Sequence, residues 1–333
     1  FDPNDLSRIQ GNLYGLPHSL EDASVVILPV PWEVTVSYNH GTAEGPSKVL
    51  RASQQVDLYD LEFPDAWKEG LYMDEISPLW KAKSQKLRKK AAEYIAFLEN
   101  GSNSRSNRKM HEIKVQINKE CNALNKWVFK RSSELLSKGK IVGTLGGDHS
   151  TCLGLIQAMA ARYKSFSILQ IDAHADLRQA YEGFTFSHAS IMYNALKLPQ
   201  LKKLVQIGVR DLCEAEAGYI AKNSRITCHY DREIKKRQYS GESWDSICEE
   251  IVKGLSDQVY ISFDVDGLKP DLCPHTGTPV PGGLDFEEAV FLLKKVKTKG
   301  KKIIGFDISE TGNSEWDGNV AARILWRLAH LLI

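Results

Sequence analysis

The stretch Phe166-Ser-Ile-Leu-Gln-Ile-Asp-Ala-His-Ala-Asp176 joins a short apolar run to two carboxylates and an imidazole. The run Phe166 to Ile171 has the length and composition of a buried parallel strand. Along an extended chain, alternate residues share one face and lie ~6.5 to 7 Å apart. We therefore expect Asp172, His174 and Asp176 to point together from the end of this strand.

Five similar runs occur along the chain, at Val25 to Pro29, Ile141 to Leu145, Leu204 to Val209, Val259 to Phe263 and Ile303 to Ile308. Helical patterns lie between them, at Pro46 to Ser53, Thr151 to Tyr163, Trp244 to Leu255, Phe286 to Lys297 and Val320 to Leu332. This alternation predicts an α/β fold with a doubly wound, mainly parallel sheet flanked by helices. We expect residues 1–333 to form one such domain, with ligands bound beyond the carboxyl ends of the strands.

The segment at about 63–140 differs because it has no strand-like run, and we interpret it as a mainly helical insertion. A loop is predicted around 99–107, where small polar residues cluster. After it, apolar residues recur at three, four and seven positions, which predicts a long helix with one apolar stripe. The stripe consists of Ile113, Ile117, Cys121, Leu124, Val128 and Leu135.

Charge and composition argue against several classes of partner. Acidic and basic residues nearly cancel, leaving a formal net charge of +1, so no global field favours nucleic acid or an acidic membrane. No apolar run reaches the ~18 residues of a membrane span. The six cysteines contain no CxxC pair, which favours reduced thiols. We expect a cytoplasmic protein that binds neither nucleic acid nor membranes.

Two further strand ends carry potential ligands. Asp264 and Asp266 follow the run Val259 to Phe263, and His149 lies in Gly146-Gly-Asp-His-Ser150 after another run. Each motif alone has an ordinary structural explanation, such as a helix cap or a solvated strand end. Their joint appearance at strand ends favours a metal site, because carboxylates crowded into a crevice repel one another unless a cation neutralises them.

The donor set predicts the kind of metal. It contains only oxygen and nitrogen donors, which favours Mn(II), with Zn(II), Co(II) or Ni(II) as alternatives. Six ligands are too many for one catalytic ion that keeps an open position, so we infer two ions. The six are His149, Asp172, His174, Asp176, Asp264 and Asp266.

In their order along the chain, these motifs resemble those of the ureohydrolase family, the arginases and agmatinases. They are GGDHS (146–150), DAHADLR (172–178), SFDVDGLKP (262–270), TGTPVPGG (276–283) and FDISE (306–310). The resemblance covers most of the chain outside 63–140. It implies an arginase-like sheet of about eight strands, two Mn(II) ions, urea release from a guanidino substrate, and assembly into homotrimers or homohexamers.

The resemblance also assigns roles. One ion would be held by His149, Asp172, Asp176 and Asp264, and the other by Asp172, His174, Asp264 and Asp266, so that Asp172 and Asp264 bridge. Asp176 would orient the attacking oxygen, and His188 would carry a proton to the leaving amine. Glu310 would hold the guanidinium group, while Thr278 and Arg178 would contact the substrate.

The substrate itself is less determined. Where arginases have an aspartate that binds the α-ammonium group, this sequence has Cys213, so we favour agmatine, cleaved to putrescine and urea. Lys269 and His275 depart from the family pattern, and either would reshape the mouth of the substrate pocket if it lies there. If the positive Lys269 and Arg178 face the pocket, they disfavour a dicationic substrate and leave arginine, other guanidino acids or guanidine as alternatives. A catalytically silent regulatory homologue is the non-enzymatic alternative.

Overall fold

The computed structural model describes residues 1–3, 12–101 and 107–332. Its core is one sheet of eight strands in the order β2-β1-β3-β8-β7-β4-β5-β6, and every pairing between neighbours is parallel. The strands are β1 (Val25–Val30), β2 (Leu71–Met73), β3 (Ile141–Gly146), β4 (Phe166–Ile171), β5 (Leu201–Ile207), β6 (Ile226–His229), β7 (Gln258–Asp264) and β8 (Lys302–Ser309). The predicted α/β class and eight-stranded parallel sheet are confirmed.

Helices cover both faces of the sheet, which explains why the central strands are buried along almost their whole length. Every residue of β1 and β4 is buried, and two apolar clusters form the core. The helices are α1 (Gly45–Ser53), α2 (Pro78–Glu99), α3 (Arg108–Ser137), α4 (Leu153–Arg162), α5 (Ile191–Ala195), α6 (Glu214–Lys222), α7 (Asp231–Tyr239), α8 (Trp244–Lys253), α9 (Phe286–Thr298) and α10 (Glu315–Leu331). Each described helix is too short or too polar to cross a bilayer.

The prediction that 63–140 lacks a strand is wrong. Residues Leu71–Met73 form an edge strand that pairs with Val25, Val26 and Ile27 of β1. Three residues are too few to show the alternating pattern of apolar and polar side chains that predicts a strand. The strand with which they pair lies far away in sequence. The other edge strand, Ile226–His229, also escaped prediction because it is only partly buried and includes polar residues.

The rest of the segment 63–140 consists of the long helices α2 and α3. All six residues of the predicted stripe on α3 are buried, as a helix lying against the body of the domain requires. The contact is close at Gly154 of α4, where an added Cβ would lie 2.4 Å from the carbonyl oxygen of Asn125. The loop predicted at 99–107 includes residues 102–106, which lie outside the described residues.

Candidate metal centre and active site

The four central strands of the sheet end at one edge and deliver the predicted ligands there. β3, β8, β7 and β4 are neighbours, and polar residues follow or end each of them. A short 3-10 turn, His149–Cys152, begins directly after β3, and Asp148 caps it by accepting a hydrogen bond from the Ser150 amide. Asp264 is the last residue of β7. The parallel topology therefore places distant segments of the chain side by side.

A first donor group surrounds the His149 ring. Its Nδ1 atom lies 3.1 Å from Asp172 Oδ2, 2.9 Å from Asp176 Oδ2 and 3.3 Å from Asp264 Oδ2. All four side chains are buried. Although three oxygens are this close, Nδ1 makes no hydrogen bond within the described part of the chain. Converging lone pairs without hydrogen bonds between them suit a cation.

A second donor group lies beside the first and shares Asp172 with it. His174 Nδ1 is 3.0 Å from Asp266 Oδ2 and 3.6 Å from Asp172 Oδ1. Asp172 therefore turns one oxygen toward each histidine. Asp266 Oδ2 is buried and, among the residues described, has no hydrogen-bond partner. Two adjacent groups of oxygen and nitrogen donors linked by one carboxylate fit two divalent ions, as the sequence predicted.

A hydrogen bond on the other side of the His149 ring determines its tautomer. Ser262 Oγ donates to Asp307 Oδ1 at 3.2 Å, so the same hydroxyl accepts from His149 Nε2, which lies 2.9 Å away. Nε2 then carries the proton, and the Nδ1 lone pair faces the carboxylates. This is the arrangement in which a ligating histidine is usually held. Asp307 supports the site without facing it.

The pKa values of two carboxylates, Asp176 and Asp264, show the cost of crowding them in a buried site. Burial, and next the charge of Asp172, raises the pKa of Asp176 to about 7. Burial, with Asp266 and Asp172 nearby, raises the pKa of Asp264 well above its usual value. Crowded carboxyls resist ionisation in a buried site, and a multiply charged cation relieves that cost.

Two site residues adopt a left-handed backbone conformation. Asp176 has φ 54° and Glu310 has φ 62°, values that non-glycine residues rarely adopt. Surrounding hydrogen bonds hold both. The Asp176 carbonyl accepts from the amides of Met192 and Tyr193, and the Glu310 carbonyl accepts from the Thr276 hydroxyl. Local strain of this kind is common at functional sites.

A cavity of about 130 Å³ opens above the donor groups. Of the predicted site residues, it is lined by His174, Asp176, Arg178, His188 and Thr278. Burial lowers the pKa of His188 to about 3, which keeps this ring neutral near pH 7. The structure thus places these five predicted site residues around one cavity.

Glu310 lies next to this cavity and outside its lining residues. Oε1 accepts from the His149 amide at 2.9 Å, while Oε2 is buried and without a hydrogen-bond partner in the described ranges. Oε2 faces Gly277, where an added Cβ would lie 2.6 Å from it. One carboxylate oxygen is thus anchored, and the other is buried beside Gly277 without a hydrogen bond.

The two departures from the family pattern do not line the cavity. Lys269 forms an ion pair with Asp285 at 2.6 Å, and the His275 ring lies 3.2 Å from Asp317. Of the two cationic residues considered for charge repulsion, only Arg178 lines the cavity, and Glu216 Oε2 lies 3.7 Å from its Nε. The positive charge at the pocket is therefore partly offset.

Sequence reasoning missed two acids in the cavity wall, Asp211 and Glu216. Glu216 is buried, and its two oxygens accept from the amides of Leu177 and Cys213. Glu216 lies three residues after Cys213, in a capping box at the start of α6. This spacing is the local pattern from which its place at the helix start was predictable. The Asp211 side chain is 67% exposed at the rim, 3.9 Å from His174 Nε2.

Comparison with known proteins identifies relatives along nearly the whole chain. The sequence model of the arginase family matches residues 23–330. An N(1)-aminopropylagmatine ureohydrolase of Thermus thermophilus is 32% identical over 291 residues, which cover 87% of this chain and 83% of that protein. The agmatinase of Bacillus anthracis is 25% identical over 293 residues, covering 88% and 84%.

Solved structures share the fold. The agmatine ureohydrolase of Thermoplasma volcanium superimposes with a TM-score of 0.71 at 22% identity, covering 98% of this chain and 94% of that one. The proclavaminate amidino hydrolase of Streptomyces clavuligerus gives a TM-score of 0.74 at 19% identity, covering 99% of both chains. At these identities the likeness concerns the architecture of the sheet and helices.

Proposed function

The chain belongs to the arginase family and is an agmatinase-like ureohydrolase, a hydrolase of C–N bonds in linear amidines, and from this premise we propose that it cleaves the guanidino group of agmatine or a close derivative. The observation that carries this proposal is the convergence of two donor groups through Asp172 on the floor of one cavity. Members of this family bind a dinuclear metal site, and the donor chemistry here suits it.

We assign the metal ligands as the sequence suggested. His149, Asp172, Asp176 and Asp264 would hold one ion, and Asp172, His174, Asp264 and Asp266 the other. Mn(II) is our proposed metal because every donor is oxygen or imidazole nitrogen. When bound, such ions lower the pKa of a water molecule from ~15.7 toward neutrality and so supply a nucleophile at cellular pH.

The chain's own side chains then position and move protons. Asp176 reaches both the donor group and the cavity, so its carboxylate would accept a hydrogen bond from the attacking oxygen and aim it at the guanidinium carbon. His188, on the cavity wall and neutral near pH 7, would take up a proton from solvent and pass it to the leaving amine, which returns the ring to its neutral form. The free Oε2 of Glu310 would accept from guanidinium N–H groups, a charge-assisted contact that suits their planar donors.

The rim of the cavity favours a substrate with a cationic tail. Asp211 offers an exposed carboxylate there, and Glu216 offsets the charge of Arg178. Agmatine carries an ammonium group at the end opposite the guanidino group. A second candidate is its N(1)-aminopropyl derivative, since relatives with 30–32% identity carry that name and a longer polyamine tail reaches an acidic rim more readily.

The deciding experiment measures urea release by the Mn(II)-loaded protein with agmatine, N(1)-aminopropylagmatine, arginine, guanidinobutyrate and guanidine. We expect kcat/KM to be highest for one of the first two. A preference for arginine or guanidinobutyrate would overturn the proposed substrate but leave the proposed reaction, release of urea from a guanidino group, unchanged. No urea from any of them, with two ions bound, would favour the regulatory homologue.

We also propose that the protein is a homotrimer or homohexamer in the cytoplasm, and that residues 63–140 belong to the single domain. Light scattering of the purified protein tests the assembly. A monomeric mass at micromolar concentration would contradict it.

A further inference from the structure

A tight turn precedes His188 on the cavity wall. Tyr181 and Phe184 exchange two backbone hydrogen bonds, of 3.2 and 2.8 Å. The two residues between them, Glu182 and Gly183, have φ values of 54° and 82°. Two successive left-handed residues are typical of the type I′ turn. Residues Tyr181–Phe184, here called the wall turn, form a well-defined structural unit.

The outer side of the wall turn rests on α3. The Asn118 side chain donates from Nδ2 to the Gly183 carbonyl at 3.0 Å. Its Oδ1 accepts from the Thr185 amide at 2.7 Å. One side chain of α3 thus binds backbone groups on both sides of Phe184, and does so with both halves of its amide.

The helix α2 completes this contact. The Phe184 ring is fully buried and packs on Tyr94 of α2 with ring centroids 5.3 Å apart. The approach is close, because a Cβ added to Gly183 would lie 2.9 Å from Lys114 Cδ and 3.2 Å from the Tyr94 hydroxyl. The wall turn therefore cannot move without repacking against α2 and α3.

The inner side of the wall turn faces the cavity. The Tyr181 and His188 rings form a T-shaped contact, with centroids 6.0 Å apart and planes at 82°. The Arg178 guanidinium lies 4.8 Å over the same Tyr181 ring. All three residues line the cavity. A contact made by α3 on one side of the turn thus reaches the proposed proton carrier on the other.

We propose that Asn118 is a positioning residue, through which α3 places the wall turn and with it His188. This inference rests on the proposed function for its kinetic consequence and gives the segment 63–140 a role in the site. Asn118 touches neither the donor groups nor the cavity lining. Its effect on turnover would act through geometry, to which catalysis is sensitive: a displacement of ~1 Å can cost ~100-fold in rate.

The test compares three variants of the full Mn(II)-loaded protein. Asn118→Ala removes both hydrogen bonds, whereas Asn118→Asp keeps an acceptor for the Thr185 amide and loses the donor to Gly183. The matched control is Gln116→Ala on the same helix, which removes a bond from Lys90 of α2 without touching the wall turn. Kinetics, metal content and amide exchange of residues 181–188 are measured for each.

We expect Asn118→Ala to lower kcat by about 10- to 100-fold with two ions still bound. The kcat of Asn118→Asp should lie between those of Asn118→Ala and wild type, and the kcat of Gln116→Ala should equal that of wild type. In a His188→Asn background, Asn118→Ala should change kcat less than about two-fold, because coupled residues are not additive. Amide exchange in 181–188 should rise in Asn118→Ala, rise less in Asn118→Asp and stay at the wild-type rate in Gln116→Ala.

The proposal is overturned by wild-type kcat and wild-type exchange in Asn118→Ala, or by an undiminished effect in the His188→Asn background. If Asn118→Ala does not fold, the same comparisons with Asn118→Asp decide. A wild-type protein that releases no urea would refute the proposed function, yet the exchange measurement would still test whether Asn118 holds the wall turn.

Discussion

Ser262 Oγ lies 2.9 Å from His149 Nε2 and determines which face of that imidazole is free to bind a cation. The hydroxyl is polarised in turn by Asp307 at 3.2 Å. Ser262 is part of β7, two residues before Asp264, so the strand that supplies a ligand also orients a ligand from β3. This relationship, and four others, lead to measurable consequences.

Replacing Ser262 with Ala removes the acceptor for His149 Nε2 and frees the ring to change tautomer. Loss of such a supporting contact typically weakens metal affinity by ~10- to 100-fold. We expect Mn(II) titration of Ser262→Ala to show that shift for one of two sites. An affinity equal to that of wild type would mean that Ser262 does not orient His149.

Changing His174 to Ala should remove one ion and nearly all turnover, because His174 faces Asp266 and Asp172 in the second donor group. Elemental analysis should fall from two ions per chain to one, with an unchanged circular dichroism spectrum. The matched control is His275→Ala, an exposed histidine beside Asp317, which should keep both ions. Unchanged turnover in His174→Ala would refute the dinuclear assignment.

Changing His188 to Asn should lower kcat while both ions stay bound, because the ring lines the cavity and belongs to neither donor group. General acid–base groups contribute ~100- to 10,000-fold, and we expect a loss in that range. A loss of metal instead would show that His188 is a ligand.

Asp211→Asn should raise KM for agmatine by about two- to five-fold, the scale of an exposed ion pair, and leave KM for guanidine unchanged because guanidine has no tail. Asp257→Asn is the control, since Asp257 is fully exposed next to Lys301 at the amino end of β7. If both substitutions raised KM for agmatine equally, Asp211 would act through the net charge of the protein and not through contact with the substrate tail.

His330 should make stability depend on pH. Burial, and then the charges of Arg327 and Lys297, lower its pKa from 6.5 to about 4, and it packs on Trp326 with centroids 4.1 Å apart. Between pH 6.5 and 4 the unfolded chain therefore binds a proton that the folded chain does not, and stability falls as pH falls, by about 1.4 kcal/mol per unit.

Urea unfolding of wild type and His330→Phe between pH 4 and 7 measures this contribution. The variant lacks the titrating group, so the stability difference, wild type minus variant, should decrease as pH decreases through this window. Because all other groups are shared, a constant difference would show that His330 does not stay neutral in the folded state.

Local sequence determined much of this protein. Six of its eight strands were predictable because buried parallel strands are apolar runs, and Asp172, His174 and Asp176 follow one of them directly. The chemistry of the donors, all oxygen and nitrogen, likewise follows from residue identity. Periodicity alone gave the apolar stripe of α3, since a helix repeats its faces over short distances.

Tertiary structure decided what depends on contacts between distant segments. The strand order places β3, β8, β7 and β4 together. Only this order brings His149, which follows β3, close to Asp264 at the end of β7. The edge strand Leu71–Met73 exists through its pairing with β1, which no local pattern encodes. The hydrogen bonds between Asn118 and the backbone of residues 183 and 185 join segments more than 60 residues apart. Only the folded chain connects α3 with the cavity, because such contacts form between surfaces that packing brings together.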